Sequence, residues 1–220
     1  MIDWAWLGDH VPALVYRTGQ HLYLTAIAVV VGLAISLALG LVAARRRRLY
    51  PPFSLVAGLV YTIPSLALFA ALVPIVGLNI LTAEVPLVLY TLVILFRNIV
   101  AGFDAVPPEV EEAADAMSYA GTSRLLRVEL PLAVPLIVAG IRVATVSTIG
   151  LVTITATLGD AFGGLGYFIF EGARRSFPTE IYAGAIPTIL LALALDRLFV
   201  GVQARLTPWA RHRPAGVVPG

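Results

Sequence analysis

Three carboxylates stand close together in the longest polar stretch of this chain. Glu109, Glu111 and Glu112 lie in DAVPPEVEEAADAMSYAGTSRLLRVELP, residues 104–131. Such groups could move a proton, hold a cation or meet a basic partner. General acid–base work needs a partner carboxylate or histidine in register, and none serves Glu112. His10 and His21 read as residues of a membrane–water interface, since nothing near them completes a metal set. The chain has no cysteine, which removes disulfides, thiolate chemistry and cysteine-type zinc sites. All 15 of its Lys+Arg residues are arginine. A phosphate-binding P-loop needs its lysine, and so does Schiff-base chemistry. The glycines at 159, 163, 164 and 166 allow tight turns, but without a following lysine or a Rossmann strand pattern they make no phosphate cradle. The chain therefore reads as one that makes and breaks no covalent bond. Glu112 reads as a structural and docking residue, and any nucleotide would have to sit in another subunit.

The elements that position these carboxylates are legible. Pro107 and Pro108 suit the start of a helix, where a missing N–H costs nothing. Glu109, Glu111 and Glu112 then fall in the first turn, where negative charge complements the helix dipole. Ala113, Ala114, Ala116 and Met117 continue as good helix formers with a small, nearly flat surface. Gly121 can end this helix, and Thr122 or Ser123 can cap a second one. Arg124 and Arg127 lie on that second piece, which Pro131 closes. The pattern predicts two short helices meeting at a glycine turn, held at a membrane surface.

Everything around this island is apolar. The 220 residues are 59% hydrophobic and 13% charged, about half the charged fraction usual in a soluble domain. Mean hydropathy is +0.91. An all-α, polytopic membrane protein follows, with five spans in contact with lipid. Residues 1–20 form a mixed polar and aromatic lead-in on the outer side. Residues 22–44 are long enough to cross a hydrocarbon core of ~30 Å. Residues 54–76 return, with Pro64 bending the helix and Thr62 and Ser65 placed to re-satisfy freed carbonyls. Residues 86–103 form the third span. Arg97 near its inner end is either functional by virtue of its depth or a snorkelling surface arginine, and the second reading is favoured. Residues 132–158 form the fourth span, rich in hydroxyls, with Arg142 near the inner interface. Tyr167–Phe170 in the outer loop is too short to cross. Residues 181–200 make the fifth span, with Pro187 as a second bend and Asp196 and Arg197 at its inner end. A basic tail, 201–220, carries Arg205, Arg211 and Arg213.

Charge orients the spans. Arg45–Arg48, Arg124, Arg127 and the tail arginines fall on one side, against Arg17, Arg174 and Arg175 on the other. By the positive-inside rule the N-terminus is outside, and the C-terminus and the 104–131 loop are cytoplasmic. These arginines sit at membrane surfaces and do not make the shared basic and aromatic face of a nucleic-acid binder.

The loop also resembles a known family. Glu112-Ala113-Ala114, followed at the expected distance by Val128-x-Leu130-Pro131, is similar to the EAA loop of type I ABC-importer permeases. The family pattern runs E-A-A, three residues, G, nine residues, I-x-L-P. Here Ser118 stands at the glycine position and Val128 at the isoleucine position, with Gly121 three residues later. The resemblance implies a permease domain over residues 21–200 of an inner-membrane subunit in a bacterial cell. It implies a cytoplasmic coupling helix between the third and fourth spans. It further implies that Glu111, Glu112, Ala113, Ala114, Met117, Ser118, Gly121, Leu130 and Pro131 engage a separate ABC ATPase that holds ATP and Mg. A second permease copy or a paralogue and an extracytoplasmic substrate-binding protein complete the assembly. HLYLTAIAVVVGLAISLALGL, YTIPSLALFAALVPIVGL and YAGAIPTILLALALDRLF look like the osmoprotectant branch, which imports glycine betaine, choline, carnitine or related solutes. An importer of an amino acid or sulfonate is the alternative, and an ATP-independent transporter or channel a more distant one. A solute path along Tyr61, Pro64, Ser65, Asn98, Thr145 and Thr148 is expected. Tyr61, Phe69, Tyr90 and Phe96 read as packing or lipid-facing rings rather than an aromatic cage.

Overall fold

A computed structural model describes residues 2–119 and 121–209. Among the described residues every regular element is helical. In chain order these are α1 (Trp4–Asp9), α2 (Val11–Arg45), a 3₁₀ turn (Arg47–Leu49), α3 (Tyr50–Thr62), α4 (Ser65–Val76), α5 (Ile80–Asp104) and α6 (Pro108–Ala116). Then come α7 (Thr122–Arg124), a π-helical turn (Leu125–Glu129), α8 (Leu130–Ile154), a 3₁₀ turn (Thr155–Leu158), α9 (Gly166–Arg174) and α10 (Pro178–Leu206). Helices α2, α5 and α10, and α8 with the turns that flank it, are long and apolar enough to span a bilayer. The fifth candidate is the pair α3–α4, which is bent by 93°.

Helix α5 lies at the centre because it meets apolar faces on two sides. Its Leu95, Ile99 and Phe103 pack on Ala133, Ile137 and Ala144 of α8, with Leu33, Leu37 and Leu41 of α2 closing the cluster. Towards its other end, Leu87 joins Leu24 and Ala28 of α2, Phe69 of α4 and Val152 of α8. Small residues allow the close approach. A Cβ added to Gly140 of α8 would stand 2.5 Å from the Cβ of Asn98, so only glycine fits there. Helix α10 buries only residues of its first turns, Thr179, Glu180, Ala183 and Gly184. Ile189, Leu190 and Leu193 beyond them are exposed, as a lipid-facing helix requires.

Several expectations change. The lead-in is mostly helical and continuous with the first span, so α2 is 35 residues and about 52 Å long. His21 is not on the protein surface. It is fully buried, its Nε2 bonding the Ile149 carbonyl at 3.0 Å while its Nδ1 receives the Leu165 N–H at 3.3 Å. Pro64 does not merely bend a helix. Ile63 before it is extended (ψ 126°), as the residue preceding a proline prefers, and the span breaks. Helix α10, by contrast, runs unbroken through Pro187. The glycine-rich outer loop folds into turns and α9, whose Phe168 is buried. Of the basic tail, Arg205 lies in the last turn of α10, whereas Arg211 and Arg213 lie outside the described residues.

Candidate functional site

Helix α6 starts where the two prolines allow it, with Glu109 and Glu111 in its first turn. Ala114 is its one buried residue. Glu112, Ala113 and Ala116 face outwards, and Met117 just beyond the helix is 65% exposed. The helix therefore shows solvent a low, nearly flat face ending in one flexible apolar side chain. Its exit corrects the expected turn. The helix stops at Ala116, and Ser118 adopts a left-handed backbone at φ +64°. That is the position where the family pattern carries glycine, which enters this region without steric cost. Gly121 forms a second turn, at φ +55° and ψ −121°, and occupies the cap position of α7. Thr122 and Ser123 lie inside α7 and make no capping bond. Nor does Pro131 close a separate short helix. Helix α7 passes through the π turn into α8, and Pro131 sits in the first turn of α8, where a proline is tolerated. Leu130 beside it packs against the core cluster of α5 and α8.

Charges that the sequence showed only as scattered then meet. Arg124 Nη1 donates to both carboxylate oxygens of Asp115 at 2.9 and 2.8 Å, and its Nε donates to Glu129 at 2.7 Å. Glu129 is buried at the root of α8. Arg45, at the end of α2, lies 3.5 Å from Glu129 and 3.5 Å from the Gly121 carbonyl. Arg47 pairs with Asp104 at the end of α5. The 104–131 loop is thus tied by arginines to the end of α2 and to the turn that follows it. The Arg124–Glu129 pair depends on the π turn, since side chains on a regular helix meet at three or four residues apart and not at five. Sequence spacing alone therefore hid it.

A second polar place lies within the membrane. Tyr61, Pro64 and Ser65 gather round a cavity of ≈ 360 Å³ at the α3–α4 break, with Thr62, Tyr90 and Ser147 also in its wall. The Tyr90 hydroxyl donates to the Ile63 carbonyl freed by the break. Thr62 donates to the Leu59 carbonyl at 2.7 Å, as expected of it. The other three residues of the expected path lie elsewhere. Asn98 is turned onto its own helix, donating to the Ile94 carbonyl at 2.9 Å. Thr145 bonds the Ile141 carbonyl at 2.8 Å, and Thr148 is buried against the Thr91 hydroxyl at 2.9 Å. Hydroxyl type did not distinguish a lining residue from one that bonds the backbone four residues back.

The family model described as "Binding-protein-dependent transport system inner membrane component" matches residues 21–212. The chain belongs to this family. It is 34% identical over 195 residues to the glycine betaine/carnitine/choline transport system permease protein OpuCB of Bacillus subtilis (strain 168), covering 89% of each chain. It is 37% identical over 205 residues to the osmoprotectant import permease protein OsmW of Salmonella typhimurium (strain LT2), covering 91% of this chain and 94% of that one. Its fold matches that of a MetNI methionine ABC transporter chain in an inward-facing conformation, with a TM-score of 0.80 at 19% identity, covering 88% of this chain and 96% of that one. A chain of an amino acid ABC transporter with histidines matches at 0.75 and 18% identity, covering 93% and 99%.

The chain is thus a multi-pass inner-membrane component of a transport system, and its 104–131 loop is tied to its spans by charge. Arg124 links Asp115 of α6 to Glu129 at the root of α8, and Arg45 links the end of α2 to the same Glu129 and to the turn at Gly121. A further ion pair joins spans directly, with Arg142 Nη2 on α8 2.8 Å from Asp196 on α10. The sequence marked these two residues only as separate signs of the inner boundary.

Proposed function

We propose that this chain is the permease subunit of an ATP-driven importer of quaternary ammonium osmoprotectants such as glycine betaine, choline or carnitine. The observation that carries the ATP-driven part is α6, a short helix with an exposed, nearly flat face, braced by Arg124 to the root of a span in a chain with no P-loop lysine. Glu111, Glu112, Ala113, Ala114, Met117, Ser118 and Gly121, followed by Leu130 and Pro131, form the element through which a separate ATPase acts. Glu112, Ala113 and Met117 are the exposed contacts, whereas Ala114 seats the helix. ATP and Mg belong to that partner. The substrate class rests on the names of the curated relatives, which align over about nine-tenths of the chain.

Two permease subunits, identical or paralogous, enclose the path, and a binding protein delivers solute on the outer side. The N-terminus lies outside and the C-terminus in the cytoplasm, in keeping with the arginine distribution. A broken backbone at membrane depth is tolerated only against protein or a water-filled cavity, so the α3–α4 break faces the path rather than lipid.

The test is reconstitution of the chain with its co-purifying ATPase and binding protein in vesicles. Labelled glycine betaine, choline and carnitine are offered, with methionine as competitor. Uptake that needs ATP and is suppressed by unlabelled choline is expected. Uptake without nucleotide, or suppression by methionine alone, overturns the proposal. Orientation is tested separately. Since the chain has no cysteine, a Met117→Cys variant carries one thiol, and an impermeant maleimide should label it only after the cells are opened.

A further inference from the structure

The break between α3 and α4 brings two tyrosines together that the sequence left apart. The rings of Tyr61 and Tyr90 stand 6.1 Å apart between centroids, at 71° to each other. They form two walls of a corner on the ≈ 360 Å³ cavity, a size within the usual ~300–1,000 Å³ of small-molecule sites. Tyr90 is 6% exposed and fixed by its bond to the Ile63 carbonyl, whereas Tyr61 is 59% exposed and presents its ring to the opening. The corner lies near mid-membrane. Tyr61 is about 16 Å along α3 from its start, and Tyr90 about 15 Å along α5 from its own.

The wall chemistry selects among solutes. No charged residue lines the cavity. A metal ion or a primary ammonium is best held by a carboxylate or a ring of converging oxygens, and the wall has no carboxylate; the Tyr90 and Thr62 hydroxyls spend their protons on carbonyls and keep only lone pairs. A quaternary ammonium donates no hydrogen bond. It is held by the negative face of an aromatic ring within about 6 Å, and most strongly where water is scarce. Ser65 and Ser147, whose hydroxyls have no partner among the described residues, offer polar contact to the uncharged or anionic end of the same solute.

We propose that Tyr61, backed by Tyr90, is a transient binding site for the quaternary ammonium group of the solute on its way through the membrane. This rests on the substrate class given under Proposed function. The experiment uses the complete transporter in vesicles, with labelled choline and glycine betaine as probes. Tyr61 is replaced by Phe, by Phe carrying one, two or three ring fluorines, and by Leu. Fluorines drain the ring face of negative potential at nearly constant shape, so failure to fold does not enter that series. Tyr61→Phe should import within about twofold of wild type, with uptake falling stepwise along the fluorinated series to a loss of about tenfold, and Tyr61→Leu should lose as much. A flat series, or Tyr61→Leu importing as wild type does, overturns the site while leaving the transporter's substrate class intact. If the wild-type complex imports neither probe, the substrate class falls and the site falls with it.

Discussion

The chain is interrupted at two places that could transmit or admit something, and it repairs them with opposite chemistry. At the polar turn between α6 and α8 the repair is ionic, with Asp115, Arg124, Glu129 and Arg45 in one connected set. At the mid-membrane break between α3 and α4 it is neutral, with a tyrosine and a threonine hydroxyl each donating to a carbonyl. The difference follows from solvent. Near water an arginine can keep part of its hydration while it reaches a buried carboxylate, and Arg124 keeps 24% of its side chain exposed. In hydrocarbon the desolvation of a charge costs more than such a pair returns, so neutral donors serve. The turn is therefore firmly held and salt-sensitive, and the break is modestly held and indifferent to salt.

The largest effect should come from Arg124→Ala. It leaves Glu129 buried with only Arg45 at 3.5 Å and frees Asp115 altogether. We expect a loss of about 2–3 kcal/mol, somewhat below the ~3–5 kcal/mol for a fully buried pair, because Arg124 is partly solvated. Amide exchange over residues 108–119 should speed up, and ATP-driven uptake should fall more than the amount of assembled complex. Arg124→Lys should recover little, since one ammonium cannot serve both carboxylates in the geometry of a planar fork. Unchanged exchange would remove the bracing role.

Gly121→Ala comes next. The obstacle there is the backbone and not crowding, as nothing lies within 4 Å of an added Cβ. At φ +55° and ψ −121° a side chain strains the turn. The cost should be about 2 kcal/mol, read as a lower thermal midpoint of the purified complex. A midpoint equal to wild type would show that the turn relaxes freely, and the ionic set alone would then define the loop.

Tyr90→Phe probes the other region. It leaves the Ile63 carbonyl without its donor at membrane depth, at a cost of about 1 kcal/mol, since hydrogen bonds within membranes are worth only ~0.6–2 kcal/mol. The comparison sharpens if this loss is the same in 50 mM and 500 mM salt while that of Arg124→Ala shrinks, because screening reaches only the ionic set. Equal salt dependence in both would break the contrast.

These two regions were not equally readable in the sequence. Long apolar runs and arginine clusters exposed the spans, because hydropathy and backbone satisfaction leave a membrane chain few choices. The start of α6 was legible in Pro107 and Pro108, whose fixed φ belongs there. Its end was not, because a serine at φ +64° carries no local signal of a left-handed residue. The Arg124–Glu129 pair was hidden by a π turn that no residue type announces. Pro64 gave the position of the interruption but not its 93° size, nor that Tyr90, 26 positions further along, would donate to the carbonyl freed there. Thr145 and Thr148 read alike because a hydroxyl that lines a cavity, one that bonds its own helix as Thr145 does, and one that meets a neighbouring helix as Thr148 does are the same in sequence. Tertiary packing decides between them.

The smallest effect belongs to Ser118→Gly, and it tests what that serine contributes. A left-handed backbone costs a non-glycine residue about 1–2 kcal/mol, so glycine should relieve strain in the folded loop. Glycine also widens the unfolded ensemble, which takes back about 0.4–1 kcal/mol. The net gain should lie between zero and about 1 kcal/mol, visible as a thermal midpoint equal to or slightly above wild type. Since φ is already +64°, the turn should keep its shape, and the exchange rates of α6 and uptake should match wild type. Slower uptake in a complex of unchanged stability would mean that the serine hydroxyl itself meets the ATPase. The turn between α6 and α8 would then be a recognition surface as well as the proposed lever, a role with no counterpart at the mid-membrane break.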